Sequence, residues 1–229
     1  MREARQGPDR SRAIVVTEIA QLEALERAAD AATIQGEAAA DGDRSAILRR
    51  LATTYGELAQ LAQAEGAATL AQRSREKAKE KELLLVRSYP DAPNMEDVYF
   101  ALADELEREG HLPDSFVQYY ELTHRYPRSR FAPAAYVAFA EEHFTFAEKY
   151  PDEWPRTIAL YEKAVELSAP RNREYGYALY KLAWAKQKSG DHASAVATFQ
   201  KVIAASAASP GDAELAKMAD ASRSDLSIL

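Results

Sequence analysis

Apolar residues return along this chain at intervals of three and four, and Gly or Pro interrupts them only at long intervals, which predicts helix almost throughout and no strand. From about Arg12 to Ala40 the stripe Val15, Ile19, Leu22, Leu25 and Ala29 forms one helical face, ending at Asp41-Gly42-Asp43, a stop followed by an N-cap. A second helix carries Leu48, Leu51, Tyr55, Leu58 and Ala62, and Gly66 marks the corner into a third that closes on Tyr89-Pro90. Between Arg73 and Glu82 this third helix is highly charged. Both signs mix at helical neighbour spacings, so the run reads as a solvated face with weak ion pairs.

After Pro90 the pattern repeats. Tyr99, Leu102, Ala103 and Leu106 lead to Gly110, and Ser115, Tyr119 and Leu122 lead on to Tyr126-Pro127. The next unit places Tyr136, Phe139, Ala140 and His143 before a long corner, Phe146 to Trp154, then Thr157, Tyr161 and Ala164 before Pro170. In the last unit Leu179, Leu182 and Ala183 precede Gly190-Asp191, and Ala195, Phe199 and Val202 follow it, up to Pro210. Small residues belong where two helices approach closely, and large ones fill the gap left by the adjacent hairpin. Ala103, Ala140 and Ala183 take the close-approach place in each first helix. Ser115, Thr157 and Ala195 take it in each second helix, with Tyr119, Tyr161 and Phe199 four residues later as large partners.

On these residues the chain resembles the tetratricopeptide repeat family, most clearly over Met95 to Pro210, with Arg44 to Pro90 as an Ala-rich, divergent unit. The units run to about 40 residues, longer than the roughly 34 of the standard repeat. Leu179, Ala183 and Lys186 stand where the family commonly has Trp, Gly and Tyr. The stretches from Tyr126 to Glu141 and from Tyr175 to Trp184 are also similar to repeat proteins of the myxobacterial cell envelope. The resemblance implies an all-α, right-handed α-solenoid of antiparallel helix hairpins, about nine or ten helices in all. The expected division is an N-terminal helix in 1–42, the divergent hairpin in 43–92, three hairpins in 93–210 and a C-terminal capping helix in 211–229. Gly211-Asp212 would start that last helix, with Leu215, Met218 and Ala219 turned to the stack.

In such arrays the first helices line the concave groove. By register the groove positions are Phe100, Asp104 and Arg108, then Val137, Glu141 and Phe144, then Tyr177, Tyr180, Lys181, Trp184 and Lys188. This aromatic set suits an extended peptide or a partner helix, because Tyr and Trp supply contact area at small entropic cost. An aromatic stripe at helical spacing is more often packing between hairpins than a binding surface. Trp184 is expected to point away from its second helix. The family's carboxylate clamp is not reproduced: Asp104, Glu141 and Trp184 stand where Asn would, and the two carboxylates disfavour an acidic tail.

Composition narrows the chemistry. Of 229 residues 47% are hydrophobic, enough for a real core, and the formal charge of -7 without a basic cluster argues against nucleic acid as partner. No cysteine is present, which excludes disulfides and thiolate catalysis and does not support a lipobox anchor. No run of about 18 apolar residues predicts direct membrane insertion. The four histidines lie in different units or corners, and the rings of His111 and His192 are expected to pack into the corners after the glycines. No nucleophile elbow, phosphate-cradling loop or convergent ligand set occurs, so no catalytic residue, metal or cofactor is expected. The expected partner is another protein or a peptide segment. The Ala-rich first helix, with Ala28, Ala29, Ala31 and Ala32, offers the alternative of a self-association module. The location is cytoplasmic if the chain is a complete gene product, and periplasmic or envelope-associated if it is a mature or excised segment.

Overall fold

The computed structural model describes residues 10–34, 41–168 and 171–228. Among these the chain is all-α: α1 Arg12–Ile34, α2 Asp41–Ala64, α3 Ala68–Ser88, α4 Glu96–Arg108, α5 Leu112–Arg125, α6 Ala132–Lys149, α7 Trp154–Ala164, α8 Tyr175–Lys188, α9 His192–Ala208 and α10 Ala213–Leu226. A single 3-10 turn, Pro151–Glu153, stands before α7. No helix among the described residues is long and apolar enough to cross a membrane. The chain divides into two compact units at Ser115 and Phe116, a boundary that falls within α5.

Three corners share one construction. At Gly190 the backbone takes φ +89°, a left-handed conformation that side-chain-bearing residues rarely adopt. There the N–H of Gly190 reaches the carbonyl of Gln187, and that of Asp191 reaches Lys186, which satisfies the last carbonyls of α8. Asp191 then accepts from the Ser194 N–H and caps α9. The same pair of backbone bonds recurs at Gly66, to Gln63 and Ala62, and at Gly110, to Glu107 and Leu106. Each chain reversal is therefore fixed by local hydrogen bonding.

In the first unit the stripe of α1 packs inward at Val15, Ile19 and Leu22, whereas Leu25, expected on the same face, is exposed. Val15 and Ile19 meet Leu51, Tyr55 and Leu58 of α2 and Ala78 of α3. The Tyr55 hydroxyl donates to Glu23 of α1 at 2.6 Å. Lys81 of α3 pairs with Glu26 of α1 at 2.8 Å, the two side chains only 12% and 13% exposed. The charged run of α3 is thus not wholly a solvated face as expected. Lys79 reaches Glu109 beyond the end of α4 at 2.5 Å, and Glu82 is buried among Glu105, Asp97 and Asp104, which push its carboxyl up to about 8 after burial itself. The Ser115 hydroxyl at the start of α5 donates to the Ala103 carbonyl of α4 at 2.9 Å, a close approach that only small residues permit.

The second unit has one core running through α6 to α10, including Ala140, Trp154, Tyr161, Leu179, Leu182, Val202, Leu215 and Ala219. Every close-approach residue named from the sequence, with its large partner, is buried in its own unit: Ala103 and Ser115 in the first, Ala140, Thr157, Ala183, Ala195, Tyr119, Tyr161 and Phe199 in the second. Helix α10 lies against α8 and α9, and its Asp212 caps it by accepting from the Leu215 N–H.

Three boundaries differ from expectation. The acidic triplet at Asp41 is the first turn of α2 rather than a stop before it, so the expected division at 42/43 falls inside that helix. The long corner is shorter than Phe146 to Trp154, because α6 continues to Lys149 and only Tyr150–Glu153 turns before α7. Pro170 lies outside the described residues, and α7 already ends at Ala164. There the buried Asn172 amide donates to the carbonyls of Ala164 (2.6 Å) and Leu167 (2.7 Å). Also against expectation, His111 and His192 are exposed, the latter bonded to the Gln187 side chain at 2.8 Å.

Candidate functional site

The expected groove residues are best followed within each unit. In the first, Phe100, Asp104 and Arg108 share one stripe of α4. Arg108 pairs with Asp104 at 3.3 Å and with Glu105, so local ion pairs already engage its guanidinium.

In the second unit α6 and α8 bring Phe144, Tyr177 and Lys181 together around Glu141. Its Oε1 accepts from the hydroxyls of Tyr161 of α7 (2.5 Å) and Tyr177 of α8 (2.9 Å), and its Oε2 pairs with Lys181 at 3.0 Å. The Lys181 ammonium also lies over the Phe144 ring, 4.1 Å from its centroid, a cation–π contact. Phe144 in turn meets Trp154 and Tyr161 edge-on. Burial, with the Glu141 carboxylate as acceptor and neighbouring charge, raises the phenol pKa values of Tyr161 and Tyr177. Both hydroxyls therefore stay protonated and remain donors. Val137 packs partly buried against the core, while Tyr177 is 37% exposed and Lys188 is exposed.

Tyr180 and Trp184 face a different neighbour. Both donate to Oδ2 of Asp225 near the end of α10, at 2.8 and 3.1 Å, and both rings pack edge-on against Phe199 of α9. Trp184 is thus not turned away from its second helix. It is partly buried between α9 and α10, because the large ring needs an apolar partner and its N–H an acceptor. Burial raises the Tyr180 pKa, the hydrogen bond of Trp184 opposes the rise, and the Asp225 carboxylate adds to it.

The arrangement leaves Tyr177 and Lys188 exposed and Lys181 partly exposed on α8, with Tyr177 and Lys181 held in orientation by Glu141. The spacing of four between Tyr177 and Lys181 was readable as one face. That Glu141 gathers three donors, and that Asp225 anchors two aromatics, had no signal in the helical period, since both depend on contacts between distant helices. The chain matches no protein-family model and no curated protein sequence.

Proposed function

We propose that this protein is a non-enzymatic interaction scaffold, a right-handed stack of tetratricopeptide-type hairpins that binds a peptide or partner protein on the face formed by α6 and α8. The observation that carries this reading is the Tyr177–Lys181–Glu141 cluster. Its aromatic and cationic groups are partly exposed yet locked by hydrogen bonds and a cation–π contact, so little side-chain entropy is lost when a partner settles on them. The equivalent burial of the close-approach positions and the shared glycine corners support the repeat assignment. On the α4 stripe, Phe100, Asp104 and Arg108 are proposed as further contacts. The likeness of Tyr126 to Glu141 and of Tyr175 to Trp184 to envelope repeat proteins directs the search to a cell-envelope assembly.

The test compares wild type with a Tyr177→Ala/Lys188→Glu variant in affinity capture. Those changes leave Tyr180, Trp184 and Asp225 in place, so α10 stays docked. Loss of a specific partner with unchanged helical circular dichroism is expected; undiminished capture of the same partner removes this face from consideration.

A second reading, self-association through the N-terminal helix, retains one supporting observation. Although Val15 and Ile19 are consumed internally, Ile14 and Leu25 stay exposed beside a shallow groove along α1. Sedimentation of wild type and an Ile14→Asp/Leu25→Asp variant separates the readings: a monomer in both cases disposes of this one.

A further inference from the structure

A second stripe of α6, one not used by the Glu141 cluster, forms a pocket with α5 and α7 in the second unit. Its volume is about 400 Å³, within the range of small-ligand and side-chain recognition sites. Tyr136 and Phe139 of α6 and Tyr120 of α5 supply its aromatic surface, and His124, His143 and Arg156 its basic groups. Among the described residues no carboxylate lines it. Glu153, which comes within 3.4 Å of His143 Nδ1, stands outside the lining. Arg156 is exposed and enters no ion pair among the described residues. The His124 ring is committed only to a parallel stack on Tyr120, 5.6 Å between centroids with planes 6° apart, which leaves its ring nitrogens available.

In a chain carrying a formal charge of -7 this is a local concentration of cationic and neutral-donor groups over an aromatic floor. An anion is favoured there by the local groups, against the net negative charge of the chain as a whole. Apolar exposure also continues past the pocket along α5, where Val117 (55% exposed) precedes Tyr120 (57%) and His124 at spacings of three and four. A ligand filling only the pocket would leave that stripe bare, whereas an extended chain would cover both.

We propose that this pocket binds an acidic segment of a partner protein, a carboxylate side chain beside an aromatic one. The carboxylate meets Arg156 and the imidazoles of His124 and His143, the aromatic ring lies against Tyr136 and Phe139, and the flanking chain runs over Val117. The site is independent of the α6–α8 face and stands whether or not that face binds anything.

The test uses a capped synthetic decapeptide with an Asp-Phe-Glu centre, its Asn-Phe-Gln counterpart and 3-phenylpropionate, each titrated into the full chain. The ring NMR signals of the four histidines are followed, with His111 and His192 as internal controls outside the pocket. The acidic peptide is expected to move His124 and His143 alone, and the neutral peptide to move none. Arg156→Gln, an exposed and unpaired position whose loss leaves the fold intact, should weaken the acidic peptide about tenfold, the scale of one charge-assisted contact. Silent His124 and His143 signals, shifts spread over all four histidines, equal binding of the neutral peptide or unchanged affinity in Arg156→Gln would each overturn the proposal. Phenylpropionate binding as tightly as the peptide would replace the partner segment with a small aromatic acid and overturn it equally.

Discussion

Gly176 of α8 packs so closely on Leu215 of α10 that a Cβ at this position would lie 2.8 Å from Leu215 Cδ1 and 3.3 Å from its Cα. Leu215 is buried in the core, and its Cα, unlike the Cδ1 tip, is backbone that can give way only by moving α10. Gly176→Ala should therefore cost about 1–3 kcal/mol of overpacking, offset in part by up to about 1 kcal/mol of helix propensity. A melting midpoint lower by roughly 2–6 °C is the expected result for a chain of this size. A midpoint equal to wild type would show that α8 and α10 are not in this contact.

Asp225 holds the far end of the same helix pair through Tyr180 and Trp184. Asp225→Ala leaves two donors without their acceptor. Because both donor side chains are only partly buried and can turn to water, the loss is about 1 kcal/mol rather than the larger cost of a sealed site. Limited proteolysis should release residues 211–229 faster, and Asp225→Asn, which keeps an acceptor oxygen, should stay near wild type. Equal protection in all three proteins would mean that Asp225 does not fasten α10.

Glu82 is expected to set a pH dependence. Its carboxyl titrates at about 8 in the fold, above the ordinary 4.5, owing to burial first and then to Glu105 and Asp97, with Arg108 opposing. The unfolded chain thus releases this proton at lower pH than the folded one. The contribution to stability is complete below about pH 4.5, falls as pH rises towards 8, and is flat beyond it. At about 1.4 kcal/mol per pH unit over the roughly 3.5 pH units between the two values, the full swing is on the order of 5 kcal/mol. Glu82→Gln, neutral throughout, should melt above wild type at pH 8.5 and close to it at pH 5. Parallel melting curves at both values would contradict the raised carboxyl.

Asn172 closes the end of α7 in place of a glycine. Its amide donates to two carbonyls while its Oδ1 accepts from the Glu174 N–H at 3.0 Å. Asn172→Ala should cost about 2 kcal/mol, since the buried Ala164 carbonyl and the partly buried Leu167 carbonyl lose their donor. Asn172→Asp retains the acceptor and loses the donors, so thermal unfolding should place it with the alanine variant. An aspartate variant as stable as wild type would show that the donated bonds contribute nothing.

Much of this architecture was legible because close helix packing writes itself into residue size. Ala103 and Ser115 could be paired from the sequence, and the hydroxyl-to-carbonyl bond between them is what such a crossing allows. Gly110 and Gly190 announced their corners for the same local reason, a backbone conformation that few other residues accept. The α6–α7 corner was misread because it has no glycine, and the aromatics at 146 and 150 look alike whether they end a helix or follow it. Glu82 was read with its charged neighbours since helical spacing assigns a face only to within a fraction of a turn, and one residue separates a solvated position from a buried one. Glu141, Asp225 and the basic pocket were illegible in kind. Their partners lie on other helices, and which polar atom meets which depends on side-chain rotamers that no periodicity encodes.

The three glycine corners also bear on how the chain reaches this fold. At Gly66, Gly110 and Gly190 the reversal is held by hydrogen bonds between residues no more than five apart, so a hairpin seed forms without first closing a long loop. Chains organised in this way have low contact order and fold fast, from whichever seed appears first. The α6–α7 hairpin lacks that local device. Its corner is instead held by the Tyr150 N–H on the Phe146 carbonyl and the Glu153 N–H on that of Tyr150, and its helices meet through Trp154, Tyr161 and Phe144.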